Sequence, residues 1–280
     1  MLTIQALAKI NLTLEVLGIR PDGYHDIRSI VQAIGLCDTL EFKNSDDIII
    51  HCDMPGWSAE KSLVSRAVAL VHEASGVKKG VKLDIKKRIP LMSGLGGDSS
   101  DAAAVLKGLK EFWDLGFTPG DFYKLAAELG SDVFFFLECG TALVEGRGEI
   151  VKNLAPLSPM WAVIVVPGTQ AGAGKTAGMY AALEPSHYTD GHITERFVDM
   201  LADGPGFDFS LLFNTFENIA LKNNTSLTCK EHLLKLGAPH VHLCGSGPAL
   251  FTLFDDRSAA EELYTRCRNQ GMEAYLAGTL

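Results

Sequence analysis

Near the start of the chain Ile10, Leu12, Leu14 and Val16 alternate with Asn11, Thr13 and Glu15, the period-two pattern of a half-buried β-strand. Arg20-Pro21-Asp22-Gly23 carries turn chemistry, and Tyr24 and His25 follow at once. Strand-like pieces recur at Leu40 to Lys43 and Ile48 to His51, ahead of a helical stretch from about Glu60 to Ala74. Val81, Leu83 and Ile85 then alternate with Lys82, Asp84 and Lys86, and this strand runs into Pro90 and a glycine-rich segment. Beyond that segment the period changes. Ala102, Ala103, Val105, Leu106, Leu109, Phe112 and Trp113 share a helical face, with Ser99 or Ser100 expected as its cap. A second helix is expected from about Asp121 to Leu129, before Gly130-Ser131-Asp132 and the apolar run Val133 to Leu137.

Leu154-Ala155-Pro156-Leu157-Ser158-Pro159 reads as a linker, so two lobes are expected, residues 1–156 and 157–280. In the second, Trp161 to Val166 predicts a buried strand and helices fall near Thr176 to Leu183, Ile193 to Leu201 and Thr228 to Leu236. Ala249 to Phe254 is a strand, Ala259 to Asn269 a helix and Glu273 to Leu276 a closing strand. Strands and helices mix without a βαβ rhythm, which makes the class α+β.

Composition narrows the function. With 280 residues, 47% hydrophobic and 21% charged, the chain is an ordinary globular one. Its formal charge of −9 sets it apart from proteins that live by neutralising nucleic-acid phosphates or anionic lipid, so neither nucleic acid nor membrane is an expected partner. No apolar run has the length of a membrane-spanning helix, and the N-terminus lacks a signal-peptide pattern. The expected compartment is a bacterial cytoplasm, ahead of a mature plastid stroma. The six cysteines show no Cys-x-x-Cys pair and no zinc spacing, so they are expected reduced and mostly buried.

The strongest chemical signal is Pro90-Leu91-Met92-Ser93-Gly94-Leu95-Gly96-Gly97-Asp98-Ser99-Ser100-Asp101, set between a strand and a helix. Glycines allow close backbone approach, and free amides at a helix start bind phosphate oxygens. One of Ser99 and Ser100 can also reach a metal ion. Asp98 opposes that reading, since a carboxylate repels a triphosphate. A second segment, Val166 to Thr176, ends in Gly-Lys-Thr like a P-loop, but Gly168 stands one place too early and the motif fails at Thr169. Lys9, sharing a strand face with Asn11, is either solvated or functional. Asp132, abutting an apolar run, is either a helix cap or turn residue, or a functional acid. Tyr24 and His25 could stack a flat ligand, and Gly245-Ser246-Gly247-Pro248 is a further loop suited to close approach.

Together, Ala8-Lys9-Ile10-Asn11-Leu12, the Arg20 to His25 block, Gly94 to Ala103, Leu129 to Val133 and Gly245 to Pro248 resemble, in this order, the GHMP small-molecule kinases. The resemblance implies an N-terminal lobe like the second domain of ribosomal protein S5, a ferredoxin-like C-terminal lobe and an active site in the cleft between them. It implies ATP and Mg²⁺ as cofactors. The Asp22-Gly23-Tyr24-His25 block is similar to the branch that phosphorylates a methylerythritol hydroxyl on a cytidyl diphosphate-linked polyol, in the non-mevalonate route to isoprenoids. By position Asp132 matches the catalytic base and Lys9 its companion. Asn11, Tyr24, His25, Thr176 and Tyr180 match substrate-binding positions, and Pro90 to Ser100 the phosphate loop. The sequence departs from the pattern at Asp98, Lys175 and Cys244. Rival expectations are a GHMP kinase with another acceptor, a catalytically inactive nucleotide-dependent sensor on the same fold, and a P-loop NTPase using Gly174-Lys175-Thr176.

Overall fold

The computed structural model describes residues 1–168, 174–204, 206–222 and 224–280. In chain order the elements are β1 (Leu2–Asn11), β2 (Thr13–Ile19), β3 (His25–Lys43), β4 (Ile48–Cys52), α1 (Leu63–Ser75), β5 (Val81–Lys86), α2 (Gly97–Phe112), α3 (Pro119–Leu129), α4 (Ser131–Glu138), β6 (Thr141–Gly146) and β7 (Ile150–Asn153). They continue with β8 (Trp161–Val166), α5 (Lys175–Ala181), α6 (His192–Ala202), β9 (Phe213–Asn214), α7 (Glu217–Ala220), α8 (Asn224–Lys235), β10 (His242–Leu243), β11 (Leu250–Phe254), α9 (Arg257–Asn269) and β12 (Glu273–Gly278). The α+β class expected from the sequence is the one found.

The chain forms two compact units that interleave along the sequence. One gathers Met1–Ala8, Cys37–Leu91 and Gly96–Cys139; the other gathers Lys9–Leu36, Met92–Leu95 and Gly140–Leu280.

In the first unit β5 lies parallel to β4 and antiparallel to the second half of β3, Thr39 facing Lys86 and Lys43 facing Lys82. The alternation in β5 does what it promised, burying Val81, Leu83 and Ile85. Helix α2 packs against α1 and α4. Its Gly108 has a packing reason, because a Cβ there would sit 2.2 Å from the Phe42 ring. Helix α1 begins at Leu63, later than the sequence suggested, since Ser62 caps it by accepting the Val64 amide at 3.1 Å. Helix α2 opens on Gly96 in the left-handed region, so Ser99 and Ser100 lie within its first turn and do not cap it.

In the second unit the first half of β3 pairs antiparallel with β2 and with β6, and β6 turns back into β7. A separate antiparallel sheet runs β10-β11-β8-β12, with α9 packed against β8, β11 and β12. Val163, Val165, Leu250, Leu263 and Cys267 belong to its buried core.

The opening strand pattern is corrected. Lys9, Asn11, Thr13 and Glu15 are buried along with the apolar positions between them. Alternation marked two chemically different faces, but the polar one is covered and satisfied internally. Asn11 Nδ2 donates to Ser29 Oγ at 2.9 Å, and the Ile30 amide donates to Thr13 Oγ1 at 2.8 Å. The cysteines are free as expected, but only Cys244 and Cys267 are fully buried; the other four are half-buried. Among the described residues no helix is long and apolar enough to cross a membrane.

Candidate active site

The glycine-rich loop joins β5 to α2. Met92, Gly94 and Gly96 take φ of +51°, +90° and +76°, while the residues between them do not. Left-handed residues thus alternate with residues that are not, and the loop ends at the positive pole of a 16-residue helix. The loop is also pinned. The Lys9 amide donates to Leu95 O at 3.0 Å, and the Ala249 amide donates to Ser93 O at 3.0 Å. Leu91 and Met92 are exposed, Pro90, Ser93, Leu95 and Ser100 buried, and Gly94, Gly96, Gly97 and Ser99 half-buried.

The Asp98 carboxylate beside the loop has two donors of its own. It accepts Ser62 Oγ–H at 2.6 Å and the Leu63 amide at 3.1 Å, in the first turn of α2 and at the start of α1. The charge is spent on two helix N-termini, each of which favours it by a few tenths to about 1 kcal/mol.

Behind the loop lies a buried ionic group that sequence reasoning missed. Lys87 Nζ bonds Asp38 Oδ2 at 2.5 Å and Asp101 Oδ2 at 2.6 Å, all three buried. Asp38 also accepts the amides of Arg88 and Ile89 at 2.5 and 2.8 Å. Burial pushes the Asp101 carboxyl up to about 8 against the pull of the Lys87 ammonium. Lys87 in turn is raised: the two carboxylates outweigh the burial that disfavours its charge. Burial is the main reason a proton stays on Asp101 far above the ordinary carboxylate range, and the neighbouring Asp38 carboxylate adds to it.

Lys9 is 6% exposed and its Nζ donates to Asn11 Oδ1 at 2.8 Å. Asn11 passes the direction on to Ser29, whose hydroxyl donates to Thr13 O at 2.5 Å. The relay fixes which end of the Asn11 amide faces the lysine. Gly245 completes this corner, since a Cβ on it would stand 3.1 Å from Lys9 Nζ and 3.1 Å from Gly94 O. The Gly245–Gly247 loop is held by Asn214, whose Nδ2 donates to Leu243 O and Gly245 O at 2.9 and 2.8 Å. Nothing in the sequence marks Asn214, because its partners lie some thirty residues away.

Asp132 lies in the first turn of α4 and is exposed, with Val133 to Phe136 buried behind it. Gly130, at φ +147°, lets the chain leave α3 and enter α4 within one residue. The carboxylate is thereby presented at a helix N-terminus on an apolar support.

The expected substrate residues divide. The His25 ring stacks on Tyr180 at 4.9 Å and 30°, and Tyr180 meets Phe216 edge-on at 4.9 Å. Burial holds the His25 imidazole below its ordinary pKa, so it is neutral at pH 7. Tyr24 is not part of that stack; its exposed ring carries the Arg147 guanidinium at 4.8 Å. Thr176 Oγ1 is hydrogen-bonded to Ser246 Oγ at 3.0 Å. Of the P-loop-like segment, residues 169–173 lie outside the described residues. Lys175 is the first residue of α5, half-buried, and a Cβ on Gly247 would be 3.4 Å from its Nζ. Burial lowers its pKa to about 8. Cys244, fully enclosed, has its thiol pushed up to about 12 by burial. It is a packing residue.

A glycine-rich loop entering a helix N-terminus, in a two-sheet α+β fold, is the setting in which the GHMP kinase family models match this chain. The family descriptions "GHMP kinases N terminal domain" and "GHMP kinases C terminal" match residues 62–140 and 226–272. A protein of Dehalococcoides mccartyi named 4-diphosphocytidyl-2-C-methyl-D-erythritol kinase is 47% identical over 100% of this chain and 99% of its own length. One of the same name from Pelotomaculum thermopropionicum is 38% identical over 95% and 94%. The crystal structure of a 4-(cytidine 5'-diphospho)-2C-methyl-D-erythritol kinase superposes with a TM-score of 0.84 at 31% identity, covering 99% of both chains. The chain belongs to the 4-diphosphocytidyl-2-C-methyl-D-erythritol kinase family.

Proposed function

We propose that the protein transfers the γ-phosphoryl group of ATP to a hydroxyl of 4-diphosphocytidyl-2-C-methyl-D-erythritol, a step of the non-mevalonate isoprenoid route. The observation that carries phosphoryl transfer is the alternating left-handed backbone at Met92, Gly94 and Gly96 leading into α2. Such transfer has a loose transition state, so holding the phosphates and neutralising charge supply most of the catalysis.

Pro90 to Ser100 hold the nucleotide phosphates through main-chain amides. Mg²⁺ fits a site of this kind, since it keeps water and phosphate oxygens as most of its ligands. The half-exposed Ser99 hydroxyl is the oxygen the chain offers it. When bound, the ion neutralises charge on the phosphates. Asp132 accepts the proton of the attacking hydroxyl, and Lys9, oriented through Asn11, offsets the charge that develops on the acceptor. His25 and Tyr180 receive the cytosine, the neutral imidazole offering one donor and one acceptor to its edge. Tyr24 reaches the base after leaving Arg147. Thr176 and Lys175 hold the diphosphate, the lysine as a half-buried ammonium beside the Gly245–Gly247 loop.

The test is Asp132→Asn, which preserves shape and removes the base. Turnover falls by roughly 10²–10⁴-fold, while ATP affinity measured by calorimetry stays within about twofold. Equal losses of turnover and ATP affinity contradict the assignment.

A further inference from the structure

Glu15 is 0% exposed in β2. Its Oε2 accepts the Thr194 amide at 2.7 Å, in the first turn of α6. Its Oε1 is also buried and has no hydrogen-bond partner. A helix N-terminus stabilises part of the charge, but a buried carboxylate oxygen left without a partner is unfavourable.

Two further ligand types flank the spot. Asp190 and His192 stand on either side of Gly191, the residue that caps α6. One ligand atom from each of Glu15, Asp190 and His192 lies within 4.8 Å of the others. Nδ1 of His192 already faces Oδ1 of Asp190, sharing a hydrogen that a cation would displace. Arg28 is the positive group packed beside them, since a Cβ on Gly191 would be 3.2 Å from its Nη1. Its charge is matched by Glu145, whose Oε1 accepts from Arg28 Nε at 3.2 Å. Glu145 in turn holds Lys152 at 2.7 Å. Three carboxylates therefore stand against Arg28 and Lys152, one negative charge in excess before the imidazole is counted.

We propose that Glu15, Asp190 and His192 form a binding site for a divalent cation of the zinc class, separate from any ion that arrives on nucleotide phosphates. One imidazole nitrogen and two carboxylate oxygens are a Zn²⁺ donor set that leaves the fourth position to water. Mg²⁺ takes oxygen ligands in a stricter octahedron and suits the set poorly. The position also gives the ion a structural consequence. The Thr189 amide donates to Val16 O at 3.1 Å, and Tyr188 lies edge-on to His25 at 6.1 Å and 67°. A cation on Glu15 fastens segment 188–192 to β2, and with it the ring that borders His25.

The test is calorimetric titration of chelator-treated full-length protein with ZnCl₂, and separately with MgCl₂, in the absence of nucleotide. Glu15→Gln, Asp190→Asn and His192→Gln are titrated in parallel. The last two change side chains that are 79% and 59% exposed, so they leave the fold intact if the buried change does not. The expected result is one zinc per chain at this site, weakened at least tenfold by each substitution, with a zinc-dependent rise in Tm only in the parent. Absence of zinc binding overturns the proposal. So does binding that His192→Gln leaves unchanged, which would place the metal on thiols such as Cys37 or Cys52. Equal affinity for Mg²⁺ overturns the assignment to the zinc class.

Discussion

A Cβ added to Gly94 would lie 2.1 Å from the carbonyl oxygen of Cys244. The glycine-rich loop and the Gly245–Gly247 loop therefore touch backbone to backbone, and the Gly247 amide already donates to that same carbonyl at 2.7 Å. With φ at +90° as well, the position admits glycine alone.

Gly94→Ala forces the two loops apart. Because a displacement of about 1 Å can cost 100-fold in a positioned reaction, kcat/KM for ATP is expected to fall by at least roughly tenfold. Tm falls with it. Steady-state kinetics and a thermal melt check this; unchanged kinetics would mean that the contact does not shape the nucleotide site.

The Lys87–Asp38–Asp101 group makes stability depend on pH in an unusual sense. Asp101 has a folded pKa of about 8, above its unfolded value near 3.8. In that window the folded state holds more protons than the unfolded one, so this group's contribution is full below about pH 4 and is lost as pH rises through 8. Asp84, lowered chiefly by its hydrogen bond from Lys43, acts oppositely and only at acid pH. Asp101→Asn is expected to flatten the fall of Tm between pH 6 and pH 9 and to be more stable than the parent at pH 9. Urea denaturation at several pH values checks it. A variant less stable than the parent at every pH, with the same slope, contradicts it.

Lys175 separates two readings of α5. As a diphosphate contact with a pKa of about 8, it binds an anion in its ammonium form and loses that charge as pH rises. Lys175→Met is expected to raise the acceptor KM about tenfold, with kcat within about twofold. The parent's acceptor KM rises from pH 7 to pH 9 and the variant's does not. Complete loss of ATP turnover would instead favour a P-loop role.

Legibility in the sequence followed locality. The loop before α2 is legible as a loop because turn, glycines and helix start are contiguous, and Leu40 to Lys43 of β3 is legible because its burial alternates. The preceding stretch from Ser29 to Ile34 is buried on both faces, so it carries no period and the 19-residue strand went unseen. The same loss of contrast disguised Asn11, Thr13 and Glu15 as a solvent face. Asp98 was visible but its purpose was not, because Ser62 and Leu63 reach it from another helix. Lys87, Asp101 and Asn214 are partners across distant sequence, and single residues without a motif leave no mark.

The central claim is tested most directly by ADP release from the purified protein with Mg-ATP. The acceptors compared are 4-diphosphocytidyl-2-C-methyl-D-erythritol, mevalonate, homoserine and galactose. The account predicts turnover with the cytidyl acceptor alone, lost in Asp132→Asn and weakened through KM when Tyr180 is replaced by alanine. Turnover with mevalonate, homoserine or galactose in preference to the cytidyl acceptor would contradict it.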